Sequence, residues 1–117
     1  MIFTPPANTD LLLSEAQKEK LYFNLTEQIN KDFALANEAI DLPADITPIN
    51  LKISVHEKIY NLIQFKFAEY LNLLYIIDVP EKDIKSLNGG DLAELAEQVA
   101  FLVLKREWQK VWFRSRY

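Results

Sequence analysis

The chain has 117 residues, of which 50% are apolar, enough for the hydrophobic core of one domain. It contains no cysteine, which excludes a disulfide framework, a thiolate metal site and a cysteine nucleophile. The net charge of −4 is divided unevenly: residues 1–104 hold 8 Lys/Arg against 16 Asp/Glu, whereas residues 105–117 hold 5 Lys/Arg against 1 Glu, so a basic end follows an acidic body.

The start of the chain predicts neither an export signal nor a membrane anchor. Residues 1–13 lack a basic stretch ahead of an apolar core, and no apolar run reaches the ~18–20 residues needed to cross a bilayer. We therefore expect a cytoplasmic protein without membrane contact. Pro5 and Pro6 discourage helix, so residues 1–13 are predicted to form an extended N-terminal arm.

A first amphipathic helix is predicted from Ser14 to about Asp41. Ser14 and Gln17 have the spacing of a capping box, and Pro43 stops the helix. Apolar residues recur at three- and four-residue spacing along one face, which is typical of a helix packed on a core. The opposite face, which includes Glu38, is expected to be solvated.

Residues 49–55 alternate apolar and polar side chains, the period of a half-buried strand. The sequence offers no clear second strand, so three alternatives remain open: an ordered loop, a strand paired with residues 1–4, or a strand paired with a second copy. A helix through this segment is disfavoured, because Ile49, Leu51 and Ile53 would be scattered around the helical wheel.

A second amphipathic helix is predicted from Ser54 to about Asp78. Ser54 and Glu57 form the best capping box in the chain, and a proline follows the helix. Residues 80–87 predict a short helix, and the turn Asn88–Gly90 is expected to supply a left-handed C-cap.

A third helix is predicted from Asp91 to about Ser115, and it is apolar on two sides. One stripe contains Leu92, Leu95, Ala96, Val99, Leu102, Val103 and Phe113; the other contains Phe101, Leu104, Trp108, Val111 and Trp112. A helix that is apolar on two sides needs cover on two sides. The second stripe must therefore be covered by the arm, by residues 80–87 or by another subunit.

Together these elements predict an all-α fold. Its core is an antiparallel arrangement of three long helices, with a short extra helix, the N-terminal arm and, as one alternative, a short strand at 49–55. Residues 14–117 are expected to form a single helical domain.

Each long helix carries one charge inside its apolar arc: Asp32, Lys66 and Arg106. In an antiparallel bundle the three lie at similar heights, within about 4.5 Å along the axis. The sequence favours the interpretation in which both cations extend to solvent and Asp32 lies at a boundary. Asp32, Lys66 and Arg106 are also a candidate buried charge cluster, to which Glu69 can add a second carboxylate, and the third alternative is a core site for an anionic ligand.

The basic end interleaves cations with aromatic residues, a pattern found in nucleic-acid-binding proteins. Lys110, Arg114 and Arg116 are the candidate anion contacts. Phe101, Leu104, Trp108, Val111 and Trp112 have the spacing of a packed helix face, and the acidic body would repel a polyanion. That face is therefore predicted to be a protein–protein interface, with nucleic acid as the weaker alternative.

No other pattern predicts chemistry. His56 is the only histidine, and phosphate-binding loops and zinc-protease motifs are absent from the sequence. We expect no catalytic residue, no metal and no cofactor. The sequence favours a non-enzymatic interaction or assembly protein, a homodimer through the tryptophan face, over a nucleic-acid binder or a protein with a small anionic ligand or enzyme site in its core.

Overall fold

The computed structural model describes residues 2–117, and these residues fold entirely into helices and connecting loops. The six helices are α1 (Thr9–Lys18), α2 (Tyr22–Leu35), α3 (Pro48–Phe65), α4 (Phe67–Ile77), α5 (Glu81–Lys85) and α6 (Leu92–Arg116). The predicted all-α class is confirmed. The alternative of a strand at 49–55 is wrong, since these residues are helical.

The last helix, α6, is the centre of the fold and packs against each of the other five. Both of its predicted apolar stripes are consequently buried, as Val99 in one stripe and Leu104 and Trp108 in the other illustrate. The arm contributes to this cover, because the ring of Phe3 packs edge-on against Trp112 with centroids 5.3 Å apart. The prediction that this helix needs cover on two sides is therefore confirmed.

The first helix begins earlier than predicted, inside the expected arm. The Asn8 side chain accepts a hydrogen bond from the amide of Leu11 at 2.8 Å and caps α1. Ser14 therefore lies inside the helix rather than at its start, and the extended arm is limited to residues 2–8.

The predicted helix from Ser14 to Asp41 is also two helices, because the chain turns sharply after α1. Lys20 adopts a left-handed conformation with φ of 60°, and the amide of Leu21 bonds to the carbonyl of Ala16 at 2.9 Å. This turn allows α1 and α2 to pack on each other and on α6. No glycine or proline marks the turn in the sequence.

We expect Lys20→Gly to stabilise the fold. A side chain disfavours the left-handed conformation, and glycine relieves that cost, so the free energy of unfolding should rise by about 1 kcal/mol. Chemical denaturation measures the change. Lys20→Ala is the matched control and should give no such gain; an equal gain from both variants would contradict the explanation.

The third helix starts at Pro48, with Thr47 as its N-cap. The alternation that predicted a strand arises because apolar residues occupy two sides of this helix. Leu51 and Val55 lie four residues apart and are buried, whereas Ile53 lies between them on the exposed side.

The predicted second long helix is interrupted at Lys66, whose φ of −142° and ψ of 61° separate α3 from α4. The predicted capping box at Ser54–Glu57 lies inside α3 and caps nothing. Asp78, in the left-handed conformation, ends α4, and the amide of Val79 bonds back to the carbonyl of Leu74 at 3.0 Å.

The predicted short helix and third long helix correspond to α5 and α6, and Asp91 caps α6 by accepting from the amide of Glu94 at 2.8 Å. The predicted left-handed cap at Asn88–Gly90 is wrong, since neither glycine has a positive φ. Gly89 is needed for space instead: a Cβ there would lie 2.7 Å from the backbone of Leu95. Within residues 2–117, no helix is both long enough and apolar enough to cross a bilayer.

Candidate functional site

The predicted tryptophan interface is part of the core. Trp108 is fully buried, Leu104, Val111 and Trp112 are nearly so, and Phe101 is partly covered. Their cover comes from the same chain, since α1, α2 and Phe3 pack around this part of α6. The expectation that another subunit covers this face is therefore wrong.

The predicted charge cluster does not form, because each of its members pairs with a different residue. The Lys66 Nζ lies 2.7 Å from the Glu38 Oε2, and the Arg106 guanidinium bonds to the Asp78 side chain at 3.1 Å. Glu69 is exposed on α4. The breaks after α1 and α3 change the helix registers on which the predicted meeting depended.

Two of these pairs hold the ends of α4 in place. Glu38 is buried and accepts from Lys66, with Lys58 also 3.4 Å away. The hydrogen bond from Lys66 lowers the pKa of Glu38 despite its burial. At the other end, Arg106 donates through Nε to the carbonyl of Asp78 at 3.0 Å, a favourable place for a cation because it is the C-terminus of a helix. The prediction that Glu38 is solvated is wrong.

Asp32 is buried, but its partners come from α2 and the C-terminal half of α6. Its Oδ2 accepts from the Lys110 Nζ at 2.8 Å and from the Gln28 Nε2 at 3.0 Å. Glu107, fully buried, adds a second carboxyl beside it, and the Lys110 Nζ is 3.4 Å from the Glu107 Oε1. One lysine therefore faces two acids in the core.

The two acids, Asp32 and Glu107, differ in protonation state because their pKa values shift in opposite directions. Burial would raise the pKa of Asp32, but the adjacent Glu107 carboxyl and the hydrogen bonds from Lys110 and Gln28 outweigh it and lower that pKa. Burial, together with the neighbouring Asp32 carboxylate, raises the pKa of Glu107 to about 9. Glu107 is therefore protonated beside an ionised Asp32, which leaves one negative charge to balance Lys110, and neither Glu107 oxygen has a hydrogen-bond partner within residues 2–117.

This cluster has the character of a structural feature rather than a ligand site. Glu107 has no exposed surface, and none of the five principal surface cavities is lined by Asp32, Glu107 or Lys110. Glu107 could not be identified from the sequence, because a single acid in a basic, aromatic stretch resembles a solvated residue.

The basic end is also less available than its sequence suggests. Lys110 is engaged with Asp32, and Arg116 pairs with Glu19 and stacks over the ring of Trp112, 4.0 Å from its centroid. Of the three predicted anion contacts, only Arg114 is exposed without an ion pair to residues 2–117. One unpaired cation among these three contacts is a weak basis for nucleic-acid binding.

The most unusual surface of the protein lies on α4 and at the end of α3. It consists of Phe65, Phe67, Leu71 and Tyr75, which are 73%, 56%, 50% and 81% exposed, and we call it the α4 surface. The last three are spaced four residues apart and share one helix face. Isolated exposed apolar residues occur elsewhere and are ordinary, whereas these four fall within eleven residues.

Charge is scarce around the α4 surface. Residues 59–77 contain only Lys66 and Glu69 as charged residues, whereas the other 98 residues of the chain contain 28. The neighbouring exposed polar side chains, Asn61, Gln64 and Asn72, are uncharged. Enrichment in aromatic residues with depletion of charge is the composition typical of protein–protein interfaces.

A groove continues this surface at the C-terminal end of α4. It has a volume of about 400 Å³ and lies between α4 and α5, lined by Leu71, Leu74, Tyr75, Val79, Pro80 and Ile84 together with the acidic Asp78 and Glu81. Most of the lining is apolar, so the groove is suited to a hydrophobic side chain rather than to an anionic ligand.

Comparison with known proteins adds no functional information. No family model, curated protein or solved structure matches the chain. Among residues 2–117, no group of three or more histidine, aspartate or glutamate side chains is placed to hold a metal ion. The candidate site therefore rests on the geometry of the α4 surface.

Proposed function

We propose that this chain is a non-enzymatic interaction protein that assembles with a second copy of itself through the α4 surface. The observation that carries the proposal is the exposure of Phe67, Leu71 and Tyr75 on one face of α4, with Phe65 exposed just before the helix, in a stretch poor in charge. The sequence predicted self-association through the tryptophan face of α6. Because that face is buried, we assign the self-association to the α4 surface instead.

The size of the surface supports a stable contact. Its three aromatic side chains alone expose about 400 Å² of largely apolar area. Each partner of a typical specific complex buries about 800 Å², so these residues and the uncharged side chains around them reach that range. Large exposed aromatic residues are costly to leave in water, and they are the residue types that dominate interface energetics.

A second copy is the occupant best matched to this surface. Positions 67, 71 and 75 hold an aromatic residue, a leucine and an aromatic residue, so the order of residue types is the same in both directions along α4. Such a pattern is self-complementary about a two-fold axis, the commonest symmetry of homo-oligomers. Within residues 59–77, the two charged residues, Lys66 and Glu69, carry opposite charges.

The test is Leu71→Glu, examined by light scattering together with the unmodified chain. The unmodified chain should be a dimer, and the variant should dissociate at least about 100-fold more readily, because two carboxylates would face each other across the axis. Half of the Leu71 side chain is already exposed, so the fold should survive, as circular dichroism can verify.

Ile49→Glu is the matched control. Ile49 is 60% exposed and lies at the opposite end of α3, about 24 Å from Phe65 along the helix axis. This variant should remain a dimer. Equal dissociation of both variants, or a dimer unaffected by Leu71→Glu, would show that the α4 surface is not the interface.

A further inference from the structure

The two ends of the α4 surface differ in shape and are complementary to each other. Its N-terminal end carries the protruding rings of Phe65 and Phe67, and its C-terminal end opens into the groove between α4 and α5.

The charged residues at the two ends, Lys66, Asp78 and Glu81, are already paired within the chain, so shape decides the orientation. A parallel contact would place rings against rings and leave both grooves empty. An antiparallel contact brings each pair of rings to a groove.

We infer that two copies pair antiparallel about a two-fold axis at Leu71, with the Phe65 and Phe67 rings of each copy seated at the α4–α5 groove of the other. This inference rests on the proposed self-association. Leu71 then meets Leu71 of the partner copy on the axis. The contact between Phe67 and Tyr75 of the partner copy forms twice, once on each side of the axis. Aromatic pairs in such contacts add stability beyond the area they bury.

The arrangement can be tested by disulfide cross-linking, because the chain has no native cysteine. Single-cysteine variants Leu71→Cys, Phe67→Cys and Tyr75→Cys would be oxidised under mild conditions and analysed on non-reducing gels. Leu71→Cys should cross-link with itself. Positions 67 and 75 are about 12 Å apart along α4, beyond the reach of a disulfide, so neither of these two variants should cross-link alone.

A mixture of Phe67→Cys and Tyr75→Cys should give about tenfold more cross-linked dimer than either alone. Ile49→Cys, exposed and far from α4, is the control and should give none. Cross-linking of Phe67→Cys with itself would overturn the antiparallel arrangement and leave the proposed self-association through the α4 surface standing. A chain that is dimeric by light scattering yet cross-links at none of the three positions would overturn the arrangement and show that the α4 surface is not the interface. A chain that is monomeric by light scattering would refute both.

Discussion

Trp108→Ala is expected to lower the free energy of unfolding by about 3–5 kcal/mol. Trp108 has no exposed surface and is the largest fully buried side chain, so alanine would leave a cavity at the centre of the fold. Urea denaturation monitored by circular dichroism measures the loss. Since the cover of Trp108 comes from its own chain, the loss should not depend on protein concentration.

Trp108→Phe provides the matched comparison. The indole Nε1 of Trp108 is buried and has no hydrogen-bond partner within residues 2–117. Phenylalanine removes that unsatisfied donor while it keeps an aromatic ring in place, so it should cost clearly less than alanine. A loss below about 1 kcal/mol for Trp108→Ala would mean that this residue is not packed as described.

Glu107→Gln is expected to stabilise the protein by about 3 kcal/mol at pH 7. The folded chain keeps a proton on Glu107, because burial and the Asp32 carboxylate raise its pKa from 4.5 to about 9. The unfolded chain releases that proton above pH 4.5, so wild-type stability declines as pH rises from 4.5 towards 9. A glutamine amide is neutral at every pH and avoids this cost.

The pH dependence provides the sharpest check of that prediction. The advantage of Glu107→Gln should be small near pH 4.5 and grow by about 1.4 kcal/mol per pH unit until the folded carboxyl itself ionises near pH 9. Glu97→Gln, an exposed substitution on the same helix, is the control and should show no such trend. A difference between Glu107→Gln and wild type that stays constant from pH 5 to 9 would contradict the raised pKa.

The helical class and the position of α6 could be predicted, because their signals are local. Asp91 at the cap and apolar stripes over twenty-five residues identify α6 whatever surrounds it. Two-sided apolar character also predicted correctly that α6 lies inside the fold. The start of α3 had a local signal too, Thr47 followed by Pro48, but the alternation over 49–55 favoured the competing strand interpretation.

The breaks at Lys20 and Lys66 could not be predicted, because lysine favours helix and tertiary packing imposes both turns. The consequences extended to the site. The breaks at Lys20 and Lys66 change the positions of the charges relative to those in the predicted long helices. Asp32 therefore pairs with Lys110 rather than with Lys66 or Arg106. Part of the α4 surface was missed for the same reason, since Phe67 and Leu71 fit an apolar arc that a longer helix would have buried.

The measurement that tests the proposal most directly is sedimentation equilibrium of the unmodified chain over a wide range of concentrations. Self-association through the α4 surface predicts a mass that rises from one chain to two and then stops, since a two-fold contact closes on itself. A mass that stays at one chain at the highest soluble concentration would contradict the proposed function. A mass that continues to rise beyond two would contradict a closed contact at Phe65, Phe67, Leu71 and Tyr75.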